Sequence, residues 1–147
     1  MIKKTLKYIF ITVFIGSLPA FFINFKNYED IIKPPLSPPG FLFPIVWTIL
    51  FILMGISIAR VMDKTDDKSL LILYFTQLII NALWTPIFFG LKAYLFAFIW
   101  ILILLGLVIY LTIRFYHIDK VSSYLLIPYI IWLVFAGYLN LGVYILN

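Results

Sequence analysis

The sequence predicts an all-α membrane protein, a bundle of five transmembrane helices, and two observations carry this prediction. Of 147 residues, 65% are hydrophobic and only 17 are charged, 11 basic and 6 acidic, whereas a soluble domain is about 45–50% apolar and about 25% charged. The charges are also confined to short segments, which leaves five uncharged apolar stretches: 8–25, 41–59, 69–91, 93–113 and 121–147. Because a helix needs about 20 apolar residues to cross the hydrocarbon core, each stretch is close to or above the required length.

These stretches are continuously apolar, without the alternation of a membrane barrel strand, so helices are favoured. The first begins with Lys3, Lys4 and Lys7, as a signal peptide would. Its apolar run exceeds the usual 7–15-residue signal core and lacks a small-residue cleavage site, so we expect a retained helix. We expect one domain, 1–147, with helices at about 4–25, 41–62, 69–90, 93–115 and 121–145.

The link between the first and second helices is rich in proline. Pro34, Pro35, Pro38 and Pro39 each fix φ and favour extended or turn backbone. A rigid loop of this length either covers or binds something, or serves only as a stiff connector. The residues of the loop leave both interpretations open.

The second, third and fifth helices each carry polar or aromatic side chains at helical spacing. Such spacing places the members of each set on one face, and amides rarely face lipid unpaired. These faces either join helices to one another or line a cavity, and composition alone leaves both open. The sets are Trp47, Phe51 and Met54; Gln77, Asn81, Trp84 and Phe88; and Tyr129, Trp132, Ala136 and Asn140.

The remaining links are short. A tight turn around Gly90 and Lys92 makes the third and fourth helices antiparallel neighbours, and residues 63–68 form a solvated, charged turn between the second and third. His117 lies beside Asp119 in the link between the fourth and fifth helices, where we expect a solvated side chain and no metal ligand.

Basic residues divide unequally between the two sides that five spans would create. Eight against three predicts a cytoplasmic N-terminus and an external C-terminus. The net charge of +5 is therefore a topology and lipid-headgroup signal, and no nucleic-acid partner is expected. The eight are Lys3, Lys4, Lys7, Arg60, Lys64, Lys68, Arg114 and Lys120; the three are Lys26, Lys33 and Lys92.

Several classes of mechanism lack the residues that they need. The chain has no cysteine, which excludes disulfides and thiolate metal sites. No charged residue lies within the five apolar stretches, so proton relays, ion-coupled transport and voltage sensing are excluded. No catalytic or metal-ligating cluster is evident. What remains is a cavity for a largely apolar ligand, surrounded by aromatic rings and oriented by a few amides.

Three sequence blocks occur in order: NYEDIIKPPLSPPGFLFPIVWTILFILMG from Asn27, LYFTQLIINALWTPIFFG from Leu73 and LLIPYIIWLVFAGYLN from Leu125. With these blocks the chain resembles the TspO/MBR family, the translocator proteins or peripheral-type benzodiazepine receptors. The resemblance implies a five-helix bundle whose ligand pocket is covered by the Pro-rich loop. It also implies binding of porphyrins such as protoporphyrin IX, of benzodiazepine-type ligands and, in some members, of sterols.

The same resemblance assigns the pocket to particular positions of this chain. Asn27 and Leu36 stand where the family usually has aromatic residues, which thins the lid. The pocket faces hold no basic residue for a porphyrin propionate, which leaves Lys26 or Lys33 in the loop for that role. The implied ligand-binding residues are Tyr28, Pro39, Trp47, Asn81, Trp84, Phe88, Trp132, Phe135 and Ala136.

Three functions remain open. The first is binding of porphyrins or related amphipathic molecules for sensing, sequestration or transport, with porphyrin as ligand and no cofactor required. The second is light- and oxygen-dependent porphyrin degradation, in which Trp47 and Trp132 would react. The third is a sterol- or lipid-binding membrane scaffold, with a homodimer as one option; Gly106 and Gly142 could admit close helix contacts, although no GxxxG motif is present. Composition and the short C-terminus predict a bacterial plasma-membrane protein.

Overall fold

The computed structural model describes residues 2–147 of the chain, and the elements of this range are all helical. A 3₁₀ turn, Leu18–Phe21, extends the first helix, and a π-helical turn, Pro86–Gly90, extends the fourth. The helices are α1 Ile2–Ser17, α2 Asn27–Asp30, α3 Leu42–Lys64, α4 Lys68–Thr85, α5 Tyr94–Tyr116, α6 Lys120–Leu125 and α7 Ile127–Leu146.

The five predicted membrane-spanning helices are confirmed. Each span is long and apolar enough to cross a bilayer, and each begins and ends close to the predicted bounds, with the exceptions given below. The spans are Ile2–Phe21, Leu42–Lys64, Lys68–Gly90, Tyr94–Tyr116 and Lys120–Leu146.

The first and last spans differ from the prediction. The first ends at Phe21 rather than near residue 25, because the Asn24 side chain accepts a hydrogen bond from the Lys26 backbone N–H at 3.0 Å and forms a local turn that competes with the helix. The last span, predicted as one helix from 121 to 145, is interrupted at Leu126. Pro128, which has no N–H to donate to the preceding turn, explains the break.

Glycines bring α1 and α3 together at the most extensive helix pair of the bundle. A Cβ atom on Gly55 would lie 2.6 Å from Cα of Ile9, so only glycine allows the two backbones to approach this closely. The two glycines predicted to admit helix contacts behave differently. Gly106 has no atom within 4 Å of its missing Cβ, and Gly142 receives the ring of Pro34 from the loop.

The bundle has two chemically different ends. The basic end contains the start of α1 and the end of α3, where Lys4 donates from Nζ to the Met62 carbonyl at 2.7 Å. The loop end carries residues 22–41. At the basic end, each helix extends past the limit of its uncharged stretch. Arg60 therefore lies within α3 rather than in a link between helices. Which end faces the cytoplasm stays a prediction.

Asp119 is the buried centre of the basic end. Its carboxylate accepts hydrogen bonds from Arg60 Nε and Lys64 Nζ, each at 2.8 Å, and from the Ser122 hydroxyl at 2.6 Å. The Arg60 guanidinium, aided by Lys64 and Ser122 against the effect of burial, holds the pKa of this carboxyl well below its usual range. These contacts tie α3 to α6. The neighbouring His117 is exposed, as expected.

The larger part of the hydrophobic core fills the half of the bundle nearer the basic end. The α3 contribution runs from Leu50 to Val61 and the α5 contribution from Leu104 to Phe115. In α4 and α7 the core residues likewise belong to the turns nearer the basic end. The other half of the bundle holds a smaller buried cluster of Ile87, Phe88, Ala97 and Val143. It also holds the site described next.

Candidate functional site

The half of the bundle nearer the loop end encloses a cavity of about 610 Å³. This volume lies within the range of about 300–1,000 Å³ that is typical of small-molecule sites. Its walls come from α3, α4 and its π turn, α5 and α7, with the end of the first span and the loop as a cover. The helices thus surround a space that opens toward the loop end of the bundle, and the Pro-rich loop covers this opening.

Seven of the nine residues that the resemblance assigned to the pocket line this cavity: Tyr28, Trp47, Asn81, Trp84, Phe88, Trp132 and Ala136. The other two do not. Pro39 is an exposed loop residue outside the lining, and Phe135 lies in a groove on the outer surface between α3 and α7. The cavity-lining residues of α7 recur at helical spacing, and Phe135 lies outside the face that they form. These residues are Trp132, Leu133, Ala136, Leu139, Asn140 and Val143.

The cover of the cavity centres on Tyr28. Its ring packs edge-on against Phe43 at 5.5 Å, and its hydroxyl donates to the Pro38 carbonyl at 3.1 Å. Burial, with the nearby Glu29 carboxylate, raises the pKa of the phenol. Lys33 Nζ lies 4.5 Å from the centre of the Tyr28 ring. Lys33 and Glu29 also line the cavity and are the ionisable groups at its mouth, whereas Lys26 is outside the lining.

The loop is attached to α7, which keeps this cover in place. Leu36, where the family usually has an aromatic residue, is 82% exposed and lies outside the cavity lining. It adopts φ 71°, which is a strained conformation for leucine. Four contacts join the loop to α7 and the residue after it. The Tyr138 hydroxyl donates to the Pro35 carbonyl at 2.7 Å, and Pro34 packs on Gly142. Asn147 Nδ2 donates to the Ile32 carbonyl at 2.8 Å, and Asn147 Oδ1 accepts from the Ile32 backbone N–H at 3.2 Å.

A chain of hydrogen bonds lies between the cavity and the core. Asn81 Nδ2 donates to the Tyr129 hydroxyl at 2.7 Å, and this hydroxyl donates to Gln77 Oε1 at 2.9 Å. The sequence placed Gln77 and Tyr129 on the same faces as pocket residues, but both are fully buried outside the lining. Within residues 2–147, Asn81 Oδ1 has no hydrogen-bond partner, so it remains available as an acceptor at the cavity wall.

Asn140 also lines the cavity, but its polar atoms are already paired. Its Oδ1 accepts from Trp84 Nε1 at 2.9 Å, and its Nδ2 donates to the Tyr94 carbonyl at 2.8 Å. These bonds hold the Trp84 indole against the wall. Asn140 therefore joins helices, while Asn81 offers polar atoms to a ligand.

The rest of the wall is aromatic. Trp47 and Trp132 meet at right angles with their ring centres 6.4 Å apart, and Trp84 stacks on Phe88 at 4.8 Å. Phe89, which sequence reasoning missed, lines the cavity next to Phe88. Both residues lie on the π-helical turn that continues the chain past Pro86, a feature common at functional sites.

The first span contributes further residues that the sequence did not assign. Gly16, Ala20 and Phe21 line the cavity beside Phe25. The signal that could have indicated them is the cluster of small residues near the end of the span, where a neighbouring helix or a ligand can approach closely. The premature end of the helix, which brings Phe25 over the cavity, is not visible in the hydropathy pattern.

The cavity is suited to binding rather than to acid–base catalysis. Its inner wall offers flat indole and phenyl faces and one free amide oxygen. Its charges are confined to the mouth. Across the part of the chain that the structure describes, no group of three His, Cys, Asp or Glu side chains could hold a metal ion.

Comparison with known proteins gives consistent matches. The model of the TspO/MBR family matches residues 8–146. Protein CrtK of Rhodobacter capsulatus is 39% identical over 137 residues, which cover 90% of this chain and 85% of its own. The translocator protein of Bos taurus is 30% identical, covering 80% and 72% of the two chains. The tryptophan-rich protein TspO of Bacillus cereus is 29% identical, covering 100% and 99%.

Proposed function

The chain belongs to the TspO/MBR family, and from this premise we propose that its cavity binds porphyrins of the protoporphyrin IX type and related amphipathic molecules. One observation carries the proposal. Three of the four tryptophans, Trp47, Trp84 and Trp132, line a single cavity of about 610 Å³ inside a membrane-spanning bundle. Such an arrangement favours a flat, largely apolar ligand over a small polar one.

The distribution of polar groups supports an amphipathic ligand. Asn81 Oδ1 can accept from a pyrrole N–H or another donor on the ligand body. Lys33 lines the mouth, and its Nζ has only the Ile31 carbonyl, at 3.4 Å, and the Tyr28 ring as partners among the described residues. A carboxylate on the ligand would pair with this ammonium group while the ring system occupies the cavity. The proposed role is sensing, sequestration or transport, with the N-terminus cytoplasmic in a bacterial plasma membrane.

The test is titration of protoporphyrin IX into detergent-solubilised protein, followed by the shift of the porphyrin absorption band and by tryptophan fluorescence. We expect saturable binding that Trp47→Ala with Trp132→Ala weakens about 10- to 100-fold. Each aromatic contact contributes about 0.5–1.5 kcal/mol beyond its buried area, and about 1.4 kcal/mol is a factor of ten. Trp100→Phe is the matched control, because Trp100 lies outside the cavity lining. Absence of saturable binding by the unmodified protein refutes the proposal.

A charge reversal separates the two candidate loop lysines. Lys33→Glu is expected to weaken binding of protoporphyrin IX and to leave binding of its dimethyl ester unchanged, because the ester has no propionate charge. Lys26→Glu, which changes the loop charge equally but lies outside the lining, is expected to affect neither ligand. Equal effects of the two reversals would show that general loop charge, and not a contact in the mouth, matters.

Photo-oxidative degradation of a bound porphyrin is a second candidate. The contact that favours it is the one between Trp47 and Trp132, whose ring centres are 6.4 Å apart on the cavity wall. Two adjoining indoles beside a photoexcited ligand could pass an electron between them. Illumination of the complex in air is then expected to yield a new long-wavelength absorption band that is absent in the dark and in Trp132→Phe. If the absorption spectrum of the complex is the same with and without light, degradation is rejected and ligand binding remains the proposed function.

A further inference from the structure

We propose that an apolar groove on the outer surface, between α3 and α7, is a second ligand site that takes the ring system of a bilayer-dissolved molecule and passes it into the cavity beside Trp132. The proposal deepens the proposed function, because it requires that the cavity bind such a molecule. The residues that define this α3–α7 groove are Val46, Ile49 and Leu53 on α3, and Pro128, Ile131 and Phe135 on α7.

The α3–α7 groove is open to lipid and has almost no polar surface. Its volume is about 650 Å³. Ile131 is 65% exposed and Ile49 is 53% exposed. Both belong to spans that cross the membrane, so the surroundings of the groove are acyl chains. A site of this kind takes a hydrocarbon or aromatic body, and it excludes charged groups.

Helix packing explains why the groove exists. α3 packs along α1 and α6, and α7 packs along α5, but the backbones of α3 and α7 do not pack closely. These two helices meet mainly through the rings of Phe43, Trp47, Tyr129 and Trp132. The break at Leu126, before Pro128, separates α6 from α7, so close backbone packing of the last span on α3 is confined to its α6 part. The side of the bundle between α3 and α7 is therefore the most weakly packed, and it lies at the same depth in the membrane as the cavity.

Trp132 is the side chain shared by the two spaces. It lines the cavity on one side and the α3–α7 groove on the other. Its indole Nε1 is buried without a hydrogen-bond partner in the described chain. By contrast, Trp84 donates to Asn140, and Trp100 donates to the Ile80 carbonyl at 2.7 Å.

The Trp132 ring packs at the edge of the core and contacts other rings, but no hydrogen bond holds it. It meets Phe43 at 5.9 Å, Trp47 at 6.4 Å and Phe135 at 5.5 Å, in edge-on or tilted contacts. A change of side-chain rotamer breaks no hydrogen bond. It would connect the two spaces and expose the unpaired N–H to an acceptor on the passing ligand.

The alternative route, through the aqueous mouth, is covered by the loop. Release of the loop requires loss of the hydrogen bond from Tyr138 to Pro35 and of the two hydrogen bonds between Asn147 and Ile32, together with the packing of Pro34 on α7. A molecule that partitions into the bilayer reaches the α3–α7 groove without breaking these contacts. Its polar substituents would stay near the loop end, where Lys33 lies at the mouth.

The absence of cysteine from the chain permits a direct test. The double variant Ile49→Cys with Ile131→Cys is reconstituted in lipid nanodiscs and cross-linked across the α3–α7 groove with a bis-maleimide. The probe is protoporphyrin IX dimethyl ester, which is uncharged and dissolves in the bilayer. We expect cross-linking to slow its association at least about tenfold by stopped-flow fluorescence. The same variant with each thiol capped by N-ethylmaleimide controls for added bulk.

A second cross-link tests the competing route. Pro35→Cys with Tyr138→Cys joins the loop to α7, and its cross-linking is expected to leave the association rate within about twofold. Trp132→Ala, with Trp132→Phe as the conservative comparison, is expected to raise both the association and the dissociation rate. A gate residue affects both rates, whereas a mere ligand contact affects only dissociation.

The outcomes separate the two proposals. An association rate unaffected by the groove cross-link, or slowed by the loop cross-link instead, overturns the lateral route while leaving binding in the cavity intact. A faster dissociation of the ester from Trp132→Ala with unchanged association also overturns the gate role. No saturable binding of the ester to the unmodified protein overturns the proposed function and the lateral route together.

Discussion

Replacing Tyr129 by phenylalanine removes one oxygen atom from the hydrogen-bond chain next to the cavity. That oxygen accepts from Asn81 Nδ2 at 2.7 Å and donates to Gln77 Oε1 at 2.9 Å. Tyr129 is 1% exposed and Gln77 is fully buried, so water cannot replace the lost partner. The ring itself still fills its place in the core, which makes the substitution a test of the two hydrogen bonds alone.

The size of the effect follows from the membrane setting. In a soluble core, leaving a buried polar group unpaired costs about 1–3 kcal/mol. Inside a bilayer the measured average is about 0.6 kcal/mol for each hydrogen bond, with a maximum near 1.7, because the unfolded helices also find partners in lipid. Two bonds therefore give about 1–3 kcal/mol. We expect Tyr129→Phe to lower the free energy of unfolding by this amount.

The assay is reversible unfolding in mixed detergent micelles, with Tyr144→Phe as the matched control. Tyr144 is 44% exposed on the outside of the last span, and it forms no hydrogen bond within residues 2–147. Its substitution is expected to change the unfolding free energy by less than about 0.5 kcal/mol. Because Asn81 also loses its anchor at the cavity wall, Tyr129→Phe should in addition weaken ligand binding.

Equal unfolding free energies for the two variants would refute this reasoning. They would mean that the polar chain contributes nothing to stability and that Asn81 is positioned by packing alone. A stability loss without any loss of ligand affinity would retain the structural part and reject the link between the hydrogen-bond chain and the cavity.

Two further predictions concern packing and charge. Gly55→Ala is expected to destabilise the protein by about 1–3 kcal/mol, since its Cβ would lie 2.6 Å from Cα of Ile9, a backbone atom that cannot move aside; Gly106→Ala, at a position with nothing within 4 Å, is the control in the same unfolding assay. Asp119→Asn is expected to cost about 2–4 kcal/mol at pH 7, because Arg60 loses its carboxylate partner. Because the pKa of Asp119 is lowered in the folded state, its contribution to stability is complete above its unfolded pKa of about 4 and is lost as the pH falls toward its folded pKa. The difference in unfolding free energy between wild type and Asp119→Asn should therefore shrink below pH 4. A difference that stays constant with pH would contradict the ion pair.

Much of the candidate site could be predicted from spacing combined with the family resemblance. Asn81, Trp84 and Phe88 recur at helical spacing, and all three line the cavity. Helical periodicity places residues on a common face, but it does not say at what depth that face meets a neighbouring helix. Gln77 and Tyr129 belong to the same faces and became the buried support of Asn81 instead.

Other features depended on local departures from regular helix. The π-helical turn after Pro86 brings Phe89 to the cavity, and the early end of the first span brings Phe25 there. Phe135 lies on the outside because the rotation of α7 is determined by its packing on α5, which sequence spacing cannot specify. The sequence placed Asp119 in a link between helices. Only the tertiary structure showed that its carboxylate lies between Arg60 and Lys64.

The sequence by itself determined that this chain crosses the membrane five times and that its five apolar stretches carry no charged side chain. Hydropathy and charge act residue by residue, and lipid forces every backbone group to be paired within its own helix. Only the tertiary structure decided that the larger part of the core fills one half of the bundle, while the other half keeps a cavity beside a smaller buried cluster. The rotations and breaks of the helices settle this, because they determine which faces meet, and no residue specifies them alone.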